Sequence, residues 1–167
     1  MEVISLSEGV GKCAIRAAGV LRRGGVVVYP TDTLYGIGVD AFSDQAVDAL
    51  YAIKGREPEK PTHCILSDFK MAEVNDAARK LAEKFLPGAL TLILKKKPSV
   101  VSGIGRGMDT IGIRIPNNDF CIEFARSFGK PITTPSANKA GLPPTTVRDD
   151  IVAQLGAVNI DLFIDDG

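Results

Sequence analysis

Apolar residues fall into short runs along the chain, and these runs alternate with longer stretches of helical spacing. A short strand near 3–6 precedes a helix within about 8–23, and Val26, Val27, Val28 and Tyr29 then form a β-branched and aromatic run that predicts a strand over 25–29. Ser43 is placed to cap a helix running to about residue 53, with Val47, Leu50 and Tyr51 on one face. A strand near 62–66 leads to a helical region through 68–86, which Pro87 and Gly88 end. Strands follow at 89–95 and 110–115, then a helix near 118–128, a strand near 131–134, a long polar loop, a helix near 147–155 and a last strand at 160–164. This alternation predicts an α/β sheet with helices packed on it. The loop VVSGIGRGMD at 100–109 contains GxGxG but lies between two strands, so it does not meet the strand–GxGxxG–helix arrangement of a dinucleotide site.

Composition narrows the class. A chain of 167 residues buries roughly 70% of its unfolded surface, enough for one sizeable core, and neither repeats nor linker-like segments point to a second domain. Twenty basic residues balance 20 acidic ones, so the whole molecule has no bias toward polyanions and any attraction for them must be local. No uncharged apolar stretch is long enough for a bilayer, and MEVISLSEGVGK has no basic region leading into an apolar segment; a cytoplasmic protein with no membrane partner is expected. Cys13, Cys64 and Cys121 are far apart and odd in number. With only His63 to join them they lack metal-ligand spacing and read as buried thiols, and no Ser–His or Cys–His catalysis is expected.

Two segments carry candidate chemistry. In PTDTLYG at 30–36, Pro30 ends the strand, Thr31, Asp32, Thr33 and Tyr35 supply hydroxyls and a carboxylate, and Gly36 and Gly38 permit backbone shapes closed to other residues. The segment suits ligand contact at a strand end and equally a turn held by its own side chain–backbone bonds. In KGREPEKP at 54–61, Lys54, Arg56 and Lys60 lie on a loop restricted by Pro58 and Pro61, which lowers the entropy cost of aiming cations at a phosphate. Lys95, Lys96 and Lys97 read as a solvated strand end, and Arg106 stands in the glycine-rich loop. Arg114, flanked by Ile113 and Ile115, shares a strand face with Gly112. In TTPSANKAG, Pro135 interrupts a strand and exposes Ser136 and Asn138, as ligand contacts or as a local turn. Thr146 reads as a helix N-cap with Asp149 as its acidic partner, a role compatible with ligand contact.

Taken together, PTDTLYGIGVDA, KGREPEKP, LPGALTLIL at 86–94, DTIGIRIP at 109–116 and TTPSANKAGLPPT at 133–145 resemble the threonylcarbamoyl-AMP synthase family, the YrdC-type domain, in order and separation over nearly the whole chain. The resemblance implies one YrdC-like domain over 1–167, with a twisted, open, mixed sheet, flanking helices and a basic central cavity. It implies a nucleotidyltransferase that converts ATP, L-threonine and bicarbonate to threonylcarbamoyl-AMP, pyrophosphate and water, with Mg2+ carried in by ATP. By motif position Thr33, Arg114 and Ser136 contact L-threonine, while Arg56, Lys60, Thr110, Asn138 and Thr146 contact ATP. Lys54 joins Arg56 and Lys60 as the catalytic cations. The product would pass to a downstream transferase that modifies an adenosine in tRNA.

The sequence departs from the family pattern in two places. The family commonly has Leu after KP and His four residues after that proline, where this chain has Thr62 and Ile65; His63 lies two positions early and shares a strand face with Ile65. The chain ends at FIDDG, before the family's closing Ser-Thr-Val segment. Rival readings are an RNA-binding module that holds tRNA or double-stranded RNA in the same cavity without chemistry, and a carbamoyl-chemistry relative using another acceptor.

Overall fold

The computed structural model describes residues 1–57, 60–66, 69 and 72–167. Among these residues the chain runs β1 (Glu2–Ser5), α1 (Val10–Arg22), β2 (Val27–Tyr29), β3 (Gly36–Gly38), α2 (Asp44–Lys54), β4 (His63–Ile65), α3 (Asp76–Phe85), β5 (Leu92–Lys95), β6 (Thr110–Arg114), α4 (Asp119–Phe128), β7 (Ile132–Thr133), α5 (Arg148–Leu155) and β8 (Leu162–Asp165). Pro30 has no N–H to continue the ladder, so β2 stops at Tyr29 and the chain leaves the sheet there.

The strands form two mixed four-stranded sheets, in the orders β1-β8-β2-β3 and β5-β6-β4-β7. In the first, β1, β8 and β2 are parallel and β3 returns antiparallel to β2. In the second, β4 and β6 are parallel, with β7 and β5 antiparallel at the edges. The edges β3 and β7 then join: Gly36 pairs with Ser136 and Asp40 with Ile132, and Ile37 N donates to Pro135 O at 3.0 Å. The expected α/β architecture is present, as one mixed surface assembled from two sheets.

Helices cover both faces. α1 and α4 pack on Val27, Tyr29, Ile65, Ile132, Leu162 and Ile164. On the other side α2 and α5 bury Val47, Leu50, Ile151 and Leu155 against Val28, Ile37 and Phe163. Ser43 caps α2 as expected, its side chain accepting from Ala46 N, and Gly55 ends the helix at φ 60°, a left-handed conformation that glycine adopts without strain.

Two expectations need correction. The helical region does not fill 68–86: α3 begins only after Asn75, whose side chain accepts from Ala78 N, while Ala72 pairs with Lys96 in a bridge beside β5. Ser67, Asp68, Lys70 and Met71 lie outside the described residues, as do Pro58 and Glu59. Gly36 and Gly38 were expected to supply backbone conformations closed to other residues, yet they lie in β3 with no positive φ. They are needed for space: a Cβ on Gly38 would stand 2.8 Å from the Tyr29 ring, and one on Gly36 would stand 2.8 Å from Thr134 Oγ1.

Candidate functional site

Arg114 is the last residue of β6, where alternation sets it on the face of Gly112 and, across the strand pair, of His63. The residue is 8% exposed, and its guanidinium is bound on three sides: Nε donates to Gly88 O at 3.2 Å, Nη1 to Thr33 Oγ1 at 3.1 Å and Nη2 to Asp32 Oδ1 at 2.5 Å. The other oxygen of Asp32 accepts from Asn117 N at 3.1 Å, so the carboxylate is itself fixed. A guanidinium has five N–H groups, which leaves Arg114 two donors for a ligand. Thr31 Oγ1 donates to Leu34 O and accepts from Thr33 N, so the TDT segment is a self-bonded turn that also delivers Thr33 to the arginine. A cavity of about 190 Å³ opens here, lined by Thr33, Tyr35, His63, Arg114, Thr134 and Ser136 among others. Burial, then the charges of Arg114 and Arg56, hold His63 down at about 4, so its imidazole is neutral.

A second cavity of about 250 Å³ adjoins the first through Ser136, and Lys54, Arg56, Lys60 and Asn138 line it. Lys54 ends α2 with 4% of its surface exposed, and its ammonium donates to Ser136 O at 2.5 Å and Asn138 O at 2.6 Å. Burial, with the Arg56 charge second, brings this lysine down to about 8. Arg56 Nη2 donates to Pro61 O at 2.8 Å, and Lys60 pairs with Glu57 at 3.1 Å in an exposed contact that a phosphate can displace. Ser136 Oγ donates to Asn138 Oδ1, and Asn138 Nδ2 donates to Leu142 O at 2.7 Å, so this loop is locally bonded while it lines the cavity.

Thr33, Arg114 and Ser136 thus meet in the first cavity and Lys54, Arg56, Lys60 and Asn138 in the second, with Ser136 common to both. Thr110 and Thr146 line neither. Thr110 opens β6 opposite Lys95 and is exposed. Thr146 is also exposed and does not cap α5: the helix starts one residue later than expected, and Thr145 Oγ1 instead accepts from Val147 N at 3.1 Å. Arg106 turns away from both cavities to Asp48 and Asp44 on α2. Asp32 as the partner of Arg114 was not foreseen, because nothing local marks a contact between positions 82 residues apart.

The three cysteines are buried free thiols, and burial pushes Cys64 up to about 12. Among the described residues no group of three His, Cys, Asp or Glu is placed to hold a metal ion. The two cavities offer anion handling, one built round a fixed guanidinium and the other lined by three cations.

The Sua5/YciO/YrdC family model, described as telomere recombination, matches residues 19–167. The threonylcarbamoyl-AMP synthase of Pyrococcus abyssi is 33% identical over 171 residues, covering 99% of this chain and 50% of that protein. A putative threonylcarbamoyl-AMP synthase of Methanocaldococcus jannaschii is 42% identical over 149 residues, covering 87% of this chain and 69% of that one. The crystal structure of P. abyssi Sua5 complexed with L-threonine matches all of this chain at a TM-score of 0.88 and 31% identity. The chain spans about half the length of both Pyrococcus proteins.

Proposed function

The chain belongs to the Sua5/YciO/YrdC family, and from that premise we propose that residues 1–167 form one YrdC-like domain that makes threonylcarbamoyl-AMP from ATP, L-threonine and bicarbonate, releasing pyrophosphate and water. The observation that carries the reading is the union, at Ser136, of a cavity built round the buried Arg114 with a cavity lined by Lys54, Arg56 and Lys60. The first suits an amino-acid carboxylate, which accepts two parallel bonds from the donors left on Arg114, with Thr33 and Ser136 beside it. The second suits a polyphosphate. Thr110 and Thr146 are proposed as contacts for parts of ATP that reach beyond the cavities.

In this reading the threonine amine captures bicarbonate or CO2 as a carbamate, and a carbamate oxygen attacks the α-phosphorus while pyrophosphate leaves. Holding two anionic reactants in adjoining seats makes the attack effectively intramolecular, and Arg56, Lys60 and Lys54 stabilise charge developing on the phosphoryl oxygens. Mg2+ fits as an ion brought on the ATP phosphates, where it would supply further charge neutralisation. The product is an activated mixed anhydride, and a tRNA-modifying transferase is its proposed consumer. No helix among the described residues is long and apolar enough to cross a membrane, and a cytoplasmic location is proposed. The RNA-binding rival is not favoured, since the relatives carry the synthase name and the cations line paired cavities.

The test is pyrophosphate release from ATP with Mg2+ and bicarbonate, with and without L-threonine, together with mass detection of threonylcarbamoyl-AMP. Arg114→Ala and Arg56→Ala each remove charge-assisted bonds worth about 1.5–3 kcal/mol, so kcat/KM is expected to fall about tenfold to a hundredfold or more. Wild-type rates in both variants would overturn the site, and RNA binding without threonine-dependent turnover would restore the rival.

A further inference from the structure

One step of the proposed reaction has no group assigned to it. An amino acid arrives as an ammonium, and it must shed a proton before its nitrogen can attack the carbon of bicarbonate or CO2. His63, the single histidine of the chain, opens β4 in register with Gly112 and lines the cavity that holds Arg114, Thr33 and Ser136. A Cβ on Gly112 would stand 2.8 Å from His63 Cβ, so the glycine gives the histidine its place beside β6.

We propose that His63 is the proton acceptor for the substrate ammonium, a catalytic role that rests on the synthase reading above. The imidazole lone pair takes one ammonium proton. The freed amine lone pair bonds to the bicarbonate carbon, and the C–O bond to the leaving hydroxyl breaks. That hydroxyl departs as water with a second proton from nitrogen, leaving a carbamate and an imidazolium that later returns its proton to solvent.

The surroundings single out this residue. The other named polar groups of the cavity are hydroxyls, a guanidinium and the Tyr35 phenol, which burial raises and so keeps protonated. The charges acting on His63 are Arg114 from β6 and Arg56 from the loop after α2, with Asp32 paired to Arg114. Thr134, just past β7, donates its N–H to His63 O, and β5 presents Ile93 beyond Gly112, neither of them charged. In the free protein burial, then the charges of Arg114 and Arg56, keep the imidazole neutral. When a carboxylate occupies Arg114 and phosphates occupy Arg56, those two charges are balanced and the proton affinity of His63 rises. The base therefore strengthens as both substrates settle.

Because the chain has one histidine, its imidazole resonances are unambiguous by NMR. Titration of the full chain, free and with L-threonine plus a non-hydrolysable ATP analogue, is expected to show the His63 pKa rising on loading. In turnover, His63→Gln is expected to lower kcat about a hundredfold near neutral pH with KM for threonine little changed. The deficit should shrink as pH approaches the ammonium's own pKa, since solution then supplies free amine; a purely structural role has no such pH dependence. His63→Asn, with urea midpoints of both variants, controls for folding. A pH-independent loss, or wild-type turnover in His63→Gln, overturns the role of His63 and leaves the synthase reading standing. A wild-type protein that forms no threonylcarbamoyl-AMP and shows no threonine-dependent shift overturns both.

Discussion

Thr62 is 7% exposed, and its hydroxyl finds no partner among the described residues. A buried unpaired hydroxyl carries a desolvation cost of about 1–3 kcal/mol, and valine has nearly the same shape without it. Thr62→Val is therefore expected to stabilise the fold by about 1 kcal/mol, read as a higher urea midpoint at unchanged slope; a lower midpoint would show that the hydroxyl is bonded. Arg114 is the opposite case, with Gly88, Thr33 and Asp32 meeting three of its donors. The sequence made the face of Arg114 legible, because period-two alternation is local. Its partners were not legible, since they come together only when the turn after β2 folds against β6. Gly36 and Gly38 show the same limit: sequence marks where glycine stands, whereas the Thr134 hydroxyl beside Gly36 and the Tyr29 ring beside Gly38 that leave no room for a side chain are tertiary facts.

At the scale of elements, the start of α2 was legible because Ser43 marks it chemically, and the helix runs one residue past the expected 53 to the left-handed Gly55. β3 was missed because two glycines in three residues erase the apolar period, and the strand exists through its pairing with β2 and β7. The Lys54–Arg56–Lys60 cluster was legible as a basic loop. That Lys54 turns inward and binds the carbonyls of Ser136 and Asn138 was not, because the partner loop lies 82 and 84 residues away. This tie predicts how ATP binding responds to pH. Free Lys54 titrates at about 8, and bound phosphates favour its charged form, so its pKa in the complex is higher. Between those two values the complex holds more protons than the free protein, and affinity falls as pH rises. KM for ATP is expected to be flat below about 8 with respect to this group and to climb above it, by at most about tenfold per unit for one proton. Lys54→Met should raise KM at neutral pH and abolish the climb; a climb that survives the substitution would assign it to another group.

At the scale of the whole molecule, alternating elements foretold an α/β fold, but they could not foretell that two four-stranded sheets join at β3 and β7, because that seam pairs segments about a hundred residues apart. Thr133 sits at the centre of the seam, fully buried. Its hydroxyl accepts from Val39 N at 2.9 Å and donates to Ile37 O at 3.2 Å, and its own carbonyl accepts from Tyr29 Oη at 3.0 Å. Three residues on, Ser136 pairs with Gly36 and lines both cavities, so the seam sets the distance between the two cavities. Thr133→Val keeps the volume and leaves a buried N–H and carbonyl of the β3 segment unpaired, at a cost of about 2 kcal/mol or more. The urea midpoint is expected to fall accordingly, and KM for threonine and for ATP should rise together, because neither seat is touched directly while their relative placement loosens. Arg114→Ala, in contrast, should act mainly on threonine. A Thr133→Val protein with lowered stability and both KM values unchanged would show that the seam holds the fold together without setting the geometry of the site.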